Sequence, residues 1–140
     1  MKKGVLLALS VILLCSYLFG GMPPTSVQKT FMEKYQSATK ISWENEDSKE
    51  WEAKFTFEGN NLSANFADDG TWIDTERIIK NSEVPTAILE TIKSIYTGWI
   101  INKIVKKETS KSGTVYDVGL KKRTEKETVT FNEDGTKVPD

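Results

Sequence analysis

The sequence contains no histidine and a single cysteine, Cys15. With no imidazole, no His-based general base or catalytic triad can be assembled. With no cysteine after position 15, the rest of the chain has neither a thiol nucleophile nor an internal disulfide. Zinc sites made from His and Cys fall for the same reason. No Gly-rich phosphate loop occurs. The one sustained apolar run, Val5 to Leu14, is short of the ~20 residues that a spanning helix needs. Lys and Arg number 19 against 20 Asp and Glu, a net charge of −1, which is not the profile of a nucleic-acid binder.

What is present begins with a leader. Lys2 and Lys3 precede the apolar run, and the small residues Gly20 and Gly21 follow it. This order predicts a secretory signal over residues 1–21 and an exported domain over 22–140. The cleavage point stays open, because Leu18 or Phe19 would stand where a small residue is preferred. Cys15 sits where a lipoprotein signal places its lipid-bearing cysteine, yet Leu14 precedes it where Gly, Ala or Ser is usual. An ordinary signal residue is the stronger reading. Without the leader, 17 basic groups face 20 acidic ones, enough chain for one domain with a core.

The domain says nearly the same thing twice. Phe66-Ala-Asp-Asp-Gly-Thr-Trp72 returns 65 residues later as Phe131-Asn-Glu-Asp-Gly-Thr-Lys137. The same offset carries Trp51 and Phe55 onto Tyr116 and Leu120. Val27, Phe31 and Tyr35 are answered by Ile88, Ile92 and Tyr96. A unit of this size does not easily bury its apolar face alone, so the two copies, about 25–80 and 83–138, are expected to share one core.

Within each copy, four-residue apolar spacing predicts a helix, first over about 25–38 and then from Pro85 to a stop at Gly98. Thr25-x-x-Gln28 has the form of a capping box. Period-2 alternation follows: Trp51, Ala53, Phe55 and Phe57 face one way, and Glu50, Glu52, Lys54, Thr56 and Glu58 the other. Tyr116, Val118 and Leu120 alternate in the same manner. The start of the strand at 99–108 is apolar on both faces, which predicts a central position in the sheet. The expectation is an α+β fold: two tandem helix-plus-strands repeats, about eight antiparallel strands in one shared sheet, both helices on one face and water on the other.

Ile41-Ser-Trp43-Glu, Trp51-Glu-Ala-Lys-Phe55, Ala64-x-Phe66-x-x-x-Gly70-x-Trp72, and Val84-Pro85 before a helix ending in Tyr96-x-Gly98 resemble the beta-lactamase-inhibitor-like, PepSY-like family of exported bacterial proteins. The resemblance covers about residues 25–137, and its motifs are structural. It implies one antiparallel sheet built from tandem repeats and a periplasmic or cell-surface setting in Gram-negative bacteria, and it brings no set substrate. With the usual catalytic residue types missing, no enzymatic activity and no cofactor are expected.

Several constellations have a plainer reading beside a chemical one. Glu50 and Glu52 share a strand face about 7 Å apart, a spacing open to paired-carboxylate chemistry. Strict alternation favours a solvated face. Asp68-Asp69-Gly70 and Glu133-Asp134-Gly135 lack the alternating ligands and closing Glu of a calcium loop and read as turns. Residues 44–58 hold six acidic and two basic groups, and 103–126 hold eight basic and three acidic. The expected function is a non-enzymatic binding or inhibitor-like module that meets a protein or peptide through its open sheet face or its turns. Candidate contact residues are Glu50, Glu52, Trp72, Trp99 and Lys121. The alternative is a small-ligand or cell-wall-polymer binder using exposed tryptophans, Trp72 and Trp99.

Overall fold

The structure, a computed structural model, describes residues 21–47 and 49–139. The leader and Cys15 therefore lie outside the described residues. The elements run α1 (Thr25–Lys34), β1 (Thr39–Asn45), β2 (Glu50–Phe57), β3 (Asn60–Ala67), β4 (Trp72–Ile78), a 3-10 turn (Asn81–Glu83), α2 (Thr86–Ile95), β5 (Ile100–Thr109), β6 (Gly113–Lys122) and β7 (Glu125–Asn132). Seven strands form a single antiparallel sheet in sequential order. The expected eighth strand is reduced to one bridge between Phe131 and Lys137. The chain divides into two compact units, the first ending at Trp72 and the second beginning at Ile73.

In the first unit, α1 starts at Pro24, whose carbonyl accepts the Gln28 N–H at 3.0 Å. The capping box does not form: the Gln28 amide instead donates to the Pro23 carbonyl at 2.7 Å. The helix ends at Lys34, short of the expected 38. Tyr35 donates to the Phe31 carbonyl at 2.8 Å, and Ala38 to that of Tyr35 at 3.0 Å, which turns the chain into β1. Val27, Phe31 and Tyr35 are buried with Ala53, Phe55, Ala64 and Phe66. The Phe31 ring meets four others, Tyr35, Trp43, Phe55 and Phe66, at centroid distances of 4.9–6.2 Å.

The second unit repeats the plan. Tyr96 donates to the Ile92 carbonyl at 2.8 Å and Trp99 to that of Tyr96 at 3.0 Å, with Gly98 at φ +81° supplying the left-handed residue that stops the helix. Ile88, Ile92 and Tyr96 are buried with Ile104, Tyr116, Val118, Leu120, Val129 and Phe131. Most of the buried side chains fall into two clusters, one per unit, and Thr75 and Val115 are buried outside both. The physical reason is local: each helix stripe matches the inward residues of the strands that follow it, so each unit closes over its own apolar face. β5 lies inside the sheet, between β4 and β6, with its register to β4 running from Val105. At its start Ile101 packs on the core, while Ile100 points away from it and is 65% exposed.

The Asp-Gly turn closes each unit onto its helix. Asp69 accepts the Thr71 N–H at 2.8 Å, and Asp134 that of Thr136 at 2.9 Å. Ser26 donates to the Asp68 carbonyl at 2.9 Å in one unit, and Thr91 to the Gly135 carbonyl at 3.0 Å in the other. A Cβ on Gly70 would stand 2.7 Å from the Ser26 oxygen, and one on Gly135 2.5 Å from that of Ala87. These glycines are thus required by close approach to the helix backbone as well as by positive φ.

Candidate binding surface

Trp43, Ala53 and Ala64 belong to the first unit's core, so their strand neighbours Ser42, Glu44, Glu52, Lys54, Ser63 and Asn65 face away from the helix. Lys54 lies between two carboxylates, its ammonium 2.8 Å from Glu44 Oε2 and 3.1 Å from Glu52 Oε2. The hydrogen bond with Glu44 holds the Lys54 pKa above its ordinary value. Burial works against this, and Glu52 adds to it. Carboxylate oxygens of Glu44, Glu46 and Glu52 lie within 4.8 Å of one another, a spacing that suits a cation. Lys54 already supplies positive charge to two of the three, so the group reads as a self-compensated ladder. Glu50 is exposed at the head of β2 on the same face, and its carbonyl accepts the Glu46 N–H at 2.9 Å.

In the second unit, Ile104 and Val118 are inward, so Lys103, Val105 and Lys107 on β5 face out with Val115, Asp117, Gly119 and Lys121 on β6. Lys107 bridges Glu76 at 2.6 Å and Asp117 at 3.6 Å, and Thr130 donates to Asp117 at 2.6 Å. Burial pulls the Lys107 pKa down, but the Glu76 hydrogen bond and the surrounding carboxylates outweigh it, and the net shift is upward. Toward the β6–β7 turn the pattern changes. Lys103, Lys121 and Lys126 are exposed, and among the described residues none of them has a carboxylate within ion-pairing distance.

The tryptophans lie elsewhere. Trp72 packs against the first unit's core with the Lys34 ammonium 4.0 Å from its ring centroid. Trp99 packs against the second unit's core, edge-on to Tyr96 at 6.2 Å. Both are half-buried. Trp51 donates to the Asp68 carboxylate at 2.8 Å, tying β2 to the turn. The candidate residues divide between the two units. Glu50 and Glu52 share a face of the first unit, Trp72 borders that unit's core, and Trp99 and Lys121 belong to the second unit. Sequence reasoning missed the Lys54 ladder, the Lys107 bridge and the bare backbone at Gly119. The 65-residue offset carries Lys54 onto Gly119 and could have exposed that contrast.

The chain has the fold of BLIP-like and DUF2874 proteins. It is similar to a BLIP-like protein from Bacteroides fragilis (24% identity, TM-score 0.75, covering 86% of each chain). It is similar also to a DUF2874 family protein from Bacteroides ovatus (20%, TM-score 0.77, 86% of this chain and 87% of that one). A third structure, of a protein assigned to the periplasm of Bacteroides eggerthii, aligns at 20% identity and TM-score 0.74 over 85% of this chain and 88% of that one. No protein-family model and no curated protein matches the chain.

Proposed function

We propose that this chain is an exported, non-enzymatic binding module of the periplasm or cell surface that meets a protein or peptide through the outer face of its sheet. The observation that carries the reading is the contrast between the two faces within each unit. One is filled by the unit's own helix, while the other presents Glu50, Glu52, Lys54, Lys103, Lys121 and Lys126 with no covering element of that unit. Aromatic anchors would strengthen a small-ligand reading, but Trp72 and Trp99 are engaged by Lys34 and Tyr96. The leader-like N-terminus and the likeness in fold to a periplasmic protein support export. The test places a photo-crosslinking residue at Glu50, at Lys121, or at Met32 on the exposed side of α1, in the full chain expressed in its own host. A discrete adduct from Glu50 or Lys121 is expected. Adducts from Met32 alone would overturn the reading.

A further inference from the structure

The two copies of the repeat differ most along one cross-strand row. In the first unit this row is Ser42, Lys54 and Ser63; in the second it is Lys103, Gly119 and Thr128. Both rows adjoin a register shift in the leading strand, between Thr39 and Ser42 and between Ile101 and Lys103. The shift does not demand glycine, since the first unit carries lysine there. The φ of Gly119 is not positive, and a Cβ built on it would meet nothing closer than the Lys103 carbonyl oxygen at 3.5 Å, an ordinary contact. Neither backbone conformation nor internal packing thus explains a residue that weakens a strand interior; close approach of something from outside does.

The surroundings state what that something is. In the next row Lys121 stands directly opposite Lys126, a like-charge pairing that disfavours the sheet. On the other side of Gly119, the row contains Ile78, Val105 and Asp117. Ile78 and Ile100 are 66% and 65% exposed. Unpaired lysines and bare isoleucines are thus interleaved around an open strip of backbone.

Resting on the sheet-face reading above, we propose that this face of the second unit docks an acidic polypeptide segment. Its carboxylates meet Lys103, Lys121 and Lys126, its apolar side chains cover Ile78 and Ile100, and its backbone passes over Gly119. An extended chain with alternating side chains supplies both kinds of contact on one side of a strip. A lipid surface could meet both the lysines and the isoleucines, but it makes no use of a bare strip of backbone at Gly119, whereas a chain passing along the strip does.

The test is titration of the isotope-labelled domain, residues 22–140, with a synthetic peptide of alternating Glu and Val. A Lys–Val peptide, inorganic phosphate and phosphatidylglycerol vesicles form the other arms. The expected result is saturable binding of the acidic peptide alone, with amide shifts at Lys103, Gly119 and Thr128. Lys121→Glu with Lys126→Glu should weaken it about tenfold or more. Gly119→Lys, which installs the first unit's residue, should weaken it about tenfold although it adds a positive charge. Gly119→Ala, whose methyl makes only ordinary contacts, should lie between and guards against a folding defect. Unchanged or tighter binding by Gly119→Lys, shifts mapping elsewhere, equal binding to the vesicles, or no saturable binding would each overturn the proposal. An adduct from Glu50 alongside failure of the acidic peptide would leave the sheet-face reading standing and sink this one.

Discussion

The two units build one backbone plan with different materials. The first is aromatic: Phe31, Tyr35, Phe55 and Phe66 are buried with two alanines, Ala53 and Ala64. The second leans to aliphatic side chains, although Tyr96, Tyr116 and Phe131 are buried in it. Ile92 stands for Phe31, Leu120 for Phe55, Ile104 for Trp43, and Val118 and Val129 replace the alanines. At these positions large rings with small fillers give way to medium side chains. Cores tolerate such exchange when total volume is kept. What a position must conserve is therefore less a residue type than a share of volume. Residues that recur unchanged include the helix-ending Tyr35 and Tyr96, the Asp-Gly-Thr turn, and one core ring, Phe66 and Phe131.

The strongest way to break this comparison is to delete the central ring. Phe31→Ala should cost about 3–5 kcal/mol in denaturant melts, the range for a buried phenylalanine. Phe31→Ile, borrowing the second unit's residue, should cost less but leave a void. Adding Ala53→Val and Ala64→Val to it should restore part of the loss. If the triple variant is no more stable than Phe31→Ile alone, the traded-volume account fails.

Next come the turn glycines. Gly70→Ala and Gly135→Ala force a Cβ against the helix backbone as well as an unfavourable φ, and each should cost at least about 2 kcal/mol. Gly59→Ala, at φ +77° with nothing within 4 Å of its Cβ, bears the φ penalty only and should cost about 1 kcal/mol. Equal losses in thermal melts would mean the turns do not lean on the helices.

A smaller effect concerns acid. Backbone N–H donation from Thr71 lowers the Asp69 pKa, and hydrogen bonds from Thr136, its hydroxyl first, lower that of Asp134. The folded state then binds these protons less tightly than the unfolded chain. The stability they contribute is present above the unfolded carboxylate range, near about pH 4, and is lost as pH falls through the folded values. With no histidine in the chain, the melting temperature should be flat from about pH 5.5 to 8.5. Asp69→Asn with Asp134→Asn should flatten the acid limb. An unchanged limb would show that these turn carboxylates do not govern it.

The smallest expected change is on the outer face. Lys54→Met removes the ladder's cation, and an exposed pair is worth about 0–1 kcal/mol. Its stability cost should stay within that range, while the vacated Glu44, Glu46 and Glu52 would gain affinity for divalent cations in calorimetry. Absence of that gain would show that Lys54 is not what occupies the cluster.

Much of the fold was legible because it rests on periodicities. Four-residue spacing at Val27, Phe31 and Tyr35 gave α1, alternation through Trp51–Phe57 gave β2, and the repeated Asp-Gly-Thr gave the turns. Boundaries were less legible. Thr25 and Gln28 have the letters of a capping box, but Pro24 already sets the helix start and the Gln28 side chain finds the Pro23 carbonyl. Apolar neighbours on both sides of Ile100 mark a strand interior to the sheet, but its exposure depends on whether an element lies above it, which no local pattern encodes. The candidate site was least legible, since the charge of a sequence window does not reveal pairing that happens across strands.

By itself the sequence determined the repeat, the element types and the inward faces, because side-chain periodicity follows directly from helix and strand geometry. Only the tertiary structure decided that buried residues divide into two clusters, that Lys54 neutralises its neighbours while Lys103, Lys121 and Lys126 stay unpaired, and that bare backbone at Gly119 lies among them. These outcomes depend on the register between paired strands, which the periodicity within one strand does not set. A shift of a single residue in that register would exchange the faces and redistribute every charge pair.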